Sequence, residues 1–247
     1  MKKLRLIVKI LIGVLMPLLM LLPVVLFVEA YAGDRAWLQK EYDKLDINLY
    51  TGMSTDDQIR AFMQMVDYMK DDADTMDVLV TVDGEEVLMY NEREISHMVD
   101  VRALYKKIMI GKWCVISLAV VTAVLAALAF RDKEGRRELF RFAAKAAIFA
   151  FIGIFVFIAA VGLWAILDFD SFWSAFHVVF LDLESSTFDP VYSRMIRICP
   201  AELFEDMVLR IFTRAGLVML LLALAGAVYL AVSKAHSNGT DKARRKE

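Results

Sequence analysis

Four long apolar blocks, residues 7–28, 113–130, 143–167 and 211–232, set the limits on what this chain can fold into. A helix rises about 1.5 Å per residue, so about 20 apolar residues cross a hydrocarbon core roughly 30 Å thick. Lipid offers no water to backbone amides and carbonyls, so a spanning segment pairs them internally, as a helix. A core helix of a soluble protein would be shorter and would carry a polar stripe; none of the four blocks has one. Composition agrees, with 59% of the 247 residues hydrophobic. The chain reads as an α-helical membrane protein with four transmembrane helices.

Basic residues set the expected orientation. Lys2, Lys3, Arg5 and Lys9 lie at the N-terminus, the short loop 131–141 reads RDKEGRRELFR, and the tail holds Lys234, Lys242, Arg244, Arg245 and Lys246. All three lie on one side of a four-span chain, and the positive-inside bias makes that side cytosolic, N-in and C-in. The expected order is a first span (1–28), an extracytoplasmic cap (29–107), spans 108–130 and 142–167 around the loop 131–141, an outer loop (168–210), a fourth span (211–233) and a cytosolic tail (234–247). The net charge of −2 averages two faces of opposite character and gives no reason to expect nucleic acid. Lys2-Lys3, an apolar run and Ala30-Tyr31-Ala32 resemble a secretory leader, but the run is long for one and contains Pro17 and Pro23, so a retained anchor is expected.

The acidic segment 29–107 is long enough for a small α+β cap. Ser54 is a helix N-cap, with Asp56 and Asp57 in the first turn. Ile59, Phe62, Met63, Val66 and Met69 follow at helical spacing, a stripe that suits core packing and, beside a membrane, also lipid. Asp83-Gly84 between the β-prone runs 78–82 and 86–90 signals a hairpin. Helix resumes from Glu94 and runs into the second span. There His97, Asp100 and Val101 share a face, three and four residues apart. Asp100 could fix one tautomer of His97; an exposed helix face with ordinary charges accounts for the same residues.

The second outer segment carries Phe176-His177-Val178-Val179-Phe180, Phe188-Asp189-Pro190, Ile198-Cys199-Pro200 and Leu203-Phe204. A histidine among aromatic and β-branched residues is partly desolvated, which favours the neutral base. An interfacial anchor with a hydrogen-bonded histidine fits the same pattern. Phe188-Asp189-Pro190 reads as a turn. Cys114 and Cys199 could pair on the outer side, although two unpaired small hydrophobes are the expectation. His236 falls in the polar tail and is assigned no role.

Taken together, the HMxDVR run at residues 97–102, the FHxxF run at 176–180 and the FDP at 188–190 with Pro200 downstream resemble the lipoprotein intramolecular transacylases, four-span membrane proteins of Gram-positive bacteria. Two positions depart from the family pattern: Arg102 stands where lysine is expected and Ser186 where tryptophan is expected. The resemblance implies movement of the sn-2 acyl chain of a diacylglyceryl lipoprotein onto the α-amino group of its N-terminal cysteine. The product is the N-acyl, lyso form. The implied partners are such lipoproteins and membrane lipid, in a bacterial cell membrane with the active site on the outer face.

That reaction suits these residues. An α-amine has a pKa of roughly 7.7–8.0, so a base helps it attack, and a neutral histidine can take its proton and return one to the leaving glycerol oxygen. His177 is the first choice of base because its flanks are more apolar. His97 would position the substrate or donate to the oxyanion, Arg102 would stabilise that charge and Asp100 would orient a histidine. The two histidine roles are interchangeable on sequence grounds. Phe176, Phe180 and Asp189 are assigned to substrate binding. Amine and ester belong to one molecule, so positioning contributes much of the rate. No metal or cofactor is expected, since converting ester to amide is downhill.

A transporter would need charged groups within its spans, whereas the interiors of spans two to four, inside the end-lying Lys112 and Arg214, hold only Lys145, near the cytosolic end. A non-catalytic sensor or accessory protein with a ligand-binding cap would keep full function in a His177→Ala variant. A zinc hydrolase built on His97, His177 and a carboxylate would lose activity on chelation.

Overall fold

The computed structural model describes the backbone of residues 1–180, 188–189 and 191–244, and the side chains of these apart from Phe169, Asp170, Trp173, His177 and residues 237–244. Ser186 and Pro190, both singled out in the sequence, lie outside the described residues. In chain order the elements are α1 (Lys2–Tyr31), α2 (Arg35–Lys44), α3 (Ile47–Thr51), α4 (Thr55–Met69), β1 (Leu79–Val82), β2 (Glu85–Leu88), α5 (Glu92–Ala129), α6 (Lys133–Leu167), α7 (Phe169–Phe180), α8 (Arg194–Ile198) and α9 (Ala201–Arg244). Four helices are long and apolar enough to cross a membrane: α1, α5, α6 and the Ala201–His236 part of α9. Each carries one of the four apolar blocks, with α5 stopping one residue short of its block at Ala129, and is longer than the block because polar turns at one or both ends continue the helix. The segment 168–210, read from sequence as a loop, carries α7, α8 and the first turns of α9.

The chain divides into two compact units. One, the bundle, comprises Met1–Val25, Gly111–Gly162 and Thr213–Glu247; the other, the cap, comprises Leu26–Ile110 and Leu163–Phe212. Within the bundle, small residues let helices approach closely, as expected where lipid supplies no hydrophobic drive for association. Ala144, Ala147 and Ala150 of α6 are buried, as are Ala215, Met219 and Ala223 of α9. A Cβ on Gly226 would stand 3.1 Å from the Ala144 carbonyl oxygen, so that crossing leaves no room for a side chain. An apolar groove of about 400 Å³ runs between α1, α6 and α9, lined by Met16, Met20, Phe140, Ala147, Leu222 and Tyr229 among others. Where α5 turns into α6, Arg5 donates from Nε to the Ala129 carbonyl (3.0 Å), pairs with Asp132 and lies over the Phe130 ring. Arg5 thereby satisfies a carbonyl at the end of α5, while Asp132 accepts from the Gly135 amide (2.6 Å) and caps α6.

The cap has an ordinary apolar core in which Leu38, Tyr42, Ile47, Val80, Met89 and Ile198 are almost wholly buried. Ser54 caps α4 as its sequence suggests, its Oγ accepting from the Asp57 amide at 3.1 Å. Ile59, Phe62 and Val66 are buried, with Met63 and Met69 packed against the same core, so the stripe is packing and not a lipid face. The hairpin turns at Asp83 (φ 50°) and Gly84 (φ 90°), with Val82 opposite Glu85. Two positive φ values make this the primed turn that matches strand twist. Gly52 is also left-handed, at φ 66°, and its carbonyl oxygen accepts from the Asp83 amide (3.0 Å). A Cβ there would meet Asp83 Oδ1 at 2.3 Å, so glycine is required. Arg60 donates to the Leu79 carbonyl (3.0 Å) and Tyr90 to that of Ala61 (2.7 Å), fastening the hairpin to α4. Cys114 and Cys199 are both free thiols, and burial pushes the Cys199 thiol up to about 12.

Candidate active site

The site begins with a helix start. Asn91 Oδ1 accepts from the Glu94 amide (3.0 Å), and Glu94 Oε2 accepts from the Asn91 amide (2.8 Å). This reciprocal capping box fixes where α5 begins and which way its first turn faces. The other oxygen of Glu94 reaches across the chain, accepting from Ser193 Oγ (2.7 Å) and from the Met195 amide (2.9 Å). Glu94 is fully buried, so these bonds replace water around its carboxylate.

His97 follows Glu94 by almost one turn of α5. Its imidazole meets the Phe188 ring edge-to-face, centroids 5.3 Å apart and planes at 81°. The HMxDVR and FDP segments, some ninety residues apart in sequence, therefore share one wall. Arg93 lies over the other aromatic partner, its guanidinium carbon 5.7 Å from the Phe188 centroid. Asp100, three residues beyond His97 and partly buried, lies on the same side of α5.

Other candidates are placed differently. Asp189 is exposed and accepts from the Val191 amide (2.8 Å), while its carbonyl accepts from the Tyr192 and Ser193 amides. That is an Asx turn, and it sets the direction in which the chain leaves Phe188. Arg102 is five residues beyond His97, about 140° around the helix. Its guanidinium pairs with Asp71 and lies 4.5 Å from the Tyr68 centroid. Asp71 also takes Lys106 (2.8 Å), and these two cations, Lys106 first, hold its carboxyl below the usual carboxylate range. Phe176 and Phe180 lie on α7, which Asp168 caps by accepting from the Ser171 amide (3.0 Å); their rings are 5.1 Å apart, and Phe180 is exposed. His177 is on the same helix, but its ring, and so its separation from His97, lies outside the described residues.

Glu94 and Ser193 escaped the motif reading. The sequence resumes helix at Glu94; the Asn91-x-x-Glu94 spacing is a signal that could have placed the capping box, but nothing in the sequence assigned its second carboxylate oxygen to a segment about a hundred residues away. Among the described residues, no three His, Cys, Asp or Glu side chains gather as a metal site.

The fold has solved counterparts. The membrane-integral lipoprotein intramolecular transacylase Lit from Bacillus cereus superposes with a TM-score of 0.60 at 18% identity, covering 100% of both chains. A form of it with a histidine replaced by alanine gives 0.61 at 15% identity, covering 98% of this chain and 97% of that one. A histidine-to-arginine form gives 0.61 at 16%, covering 100% and 96%. No curated protein matches the chain. The family model for the lipoprotein intramolecular transacylase Lit matches residues 11–204, most of the length that carries the cap and three of the four spans. The chain belongs to the lipoprotein intramolecular transacylase family.

Proposed function

We propose that this protein transfers the sn-2 acyl chain of a diacylglyceryl lipoprotein to the α-amino group of the same molecule's N-terminal cysteine, at a site on the outer face of the membrane. The amine nitrogen attacks the ester carbonyl carbon, and the tetrahedral intermediate expels the glycerol C2 oxygen. One proton leaves the amine and one reaches the departing oxygen, so a single histidine can accept the first and deliver the second. The N–C bond of an amide forms, the C–O bond of the ester breaks, and no oxidant, nucleotide or water is consumed.

His177 is the proposed base. His97 is the proposed donor to the carbonyl oxygen as it gains charge, with Asp100 orienting an imidazole and Phe176, Phe180 and Asp189 at the substrate side. Arg102, bound to Asp71, contributes its charge at a distance and not by contact. The histidine substitutions made in the Bacillus cereus relatives agree with a histidine-centred mechanism. The outer placement rests on the lysine and arginine bias of the tails and of the α5–α6 loop.

The observation that carries this reading is the edge-to-face contact of His97 with Phe188, which unites two of the three motifs in one wall. The test is mass spectrometry of lipoprotein N-termini in a bacterial host that makes only the diacyl form. Expressing this protein should convert them to the N-acyl lyso form, and His97→Ala or His177→Ala should reduce conversion by about 10²-fold or more. Unchanged N-termini with the unmodified protein would end the reading.

A further inference from the structure

We propose that Glu94 is a positioning residue of this site: it docks Ser193 and Met195 onto the first turn of α5 and so sets Phe188 against His97. The inference rests on the transacylase reading for its link to activity, and on geometry alone for the docking itself.

The geometry is specific. Glu94 is a fully buried carboxylate, a group that folds rarely bury without a reason. Apolar residues would fill the same volume at no desolvation cost, so packing does not call for a carboxylate here. One of its oxygens completes the Asn91 capping box, a local role that an exposed glutamate performs equally well. Its second oxygen binds Ser193 Oγ and the Met195 amide, which belong to the chain that leaves the Asp189 turn. Ser193 in turn accepts from the Ile196 amide (3.3 Å) and caps α8, and its own amide donates to the Asp189 carbonyl (2.9 Å). A short path of bonds therefore leads from Glu94 through Ser193 and the Asp189 turn to Phe188.

The path ends on the histidine. Glu94 and His97 are three residues apart on one helix, so the element that carries the imidazole also carries the anchor of the ring facing it. Two groups fixed to the same turn keep their spacing when the rest of the cap moves. A displacement of about 1 Å at a reacting group can lower a rate about 10²-fold, so such an anchor matters to turnover without touching substrate. A further contact on Phe188, from the Arg93 guanidinium, comes from the same turn of α5.

Two variants test the idea. Glu94→Gln keeps the shape but turns an amide NH₂ toward either the Asn91 amide or the Ser193–Met195 pair, and Ser193→Ala removes one bond of the bridge. Histidine-selective labelling of the full-length protein in detergent would follow the His97 ring, whose resonance is identified by its loss in His97→Gln. Both variants should move that resonance, and Lys106→Gln, a change on α5 away from the ring, should leave it in place. An unmoved His97 resonance in Glu94→Gln and Ser193→Ala would overturn the docking role whatever the protein's activity. In the conversion assay both variants should lower turnover by about 10-fold or more at unchanged substrate dependence. Phe188→Leu should cost turnover in the unmodified protein and little more in the Glu94→Gln background, because the ring is already displaced. Additive losses would overturn the link between Glu94 and Phe188, and failure of the unmodified protein to convert lipoproteins would overturn the transacylase reading alone.

Discussion

The bundle and the cap solve the packing problem in different currencies. The cap buries side chains of substantial volume, among them Tyr42, Leu38, Ile198 and Met89, away from water, and gains from each apolar surface it covers. The bundle faces hydrocarbon, where covering apolar surface brings little, and it relies on close approach at Ala144 and Gly226 and on polar bonds where α5 turns into α6. Volume matters in one unit and shape in the other. The candidate active site falls in the unit held by water's exclusion, where a buried carboxylate and a shielded imidazole acquire their special surroundings.

The sharpest challenge to that contrast is a cavity in the cap. Ile198→Ala removes a wholly buried side chain and should lower cap stability by about 2–5 kcal/mol, read by thermal unfolding in detergent. A negligible change would mean that the cap is not held by its core. Next comes a methyl group in the bundle. Gly226→Ala should cost about 1–3 kcal/mol by pushing α9 from α6, although it adds apolar surface; a gain in stability would show that volume also governs the bundle. Ser54→Ala, which removes the cap of α4, should cost about 1 kcal/mol. Arg5→Ala exposes only a partly solvated ion pair and one carbonyl, and its cost should stay at or below about 1 kcal/mol, less at high salt.

The smallest effect is that of pH on the α4–α5 junction. The Asp71 carboxyl is held below its usual value by Lys106 and Arg102, so its contribution is complete above the unfolded carboxylate range. It fades as pH falls below about 4, through the lowered folded value. Hydrogen exchange at the end of α4 should accelerate over that window, and Asp71→Asn should remove the pH dependence.

Much of the fold was legible in the residues. The four spans, the Ser54 cap and the Asp83-Gly84 hairpin are written in block length, capping chemistry and turn dipeptides, all of them short-range signals. The second outer segment was harder to read, because its aromatic and β-branched residues suit a loop, a strand or an interfacial helix, and α7 forms where a loop was expected. Within the candidate site, the face shared by His97 and Asp100 follows from helical spacing. The turn at Asp189 was visible too, although its carboxylate serves the local backbone.

By itself the sequence determined that this chain is a four-span membrane protein with a small α+β cap, and its motifs pointed to the transacylase family. Only the tertiary structure decided that Glu94 holds Ser193 and Met195, that Phe188 faces His97 and that Arg102 belongs to Asp71. The physical reason is range. A span or a turn is fixed by neighbours a few residues away, whereas a polar side chain is locally content in water and acquires a partner only when folding brings a distant segment against it.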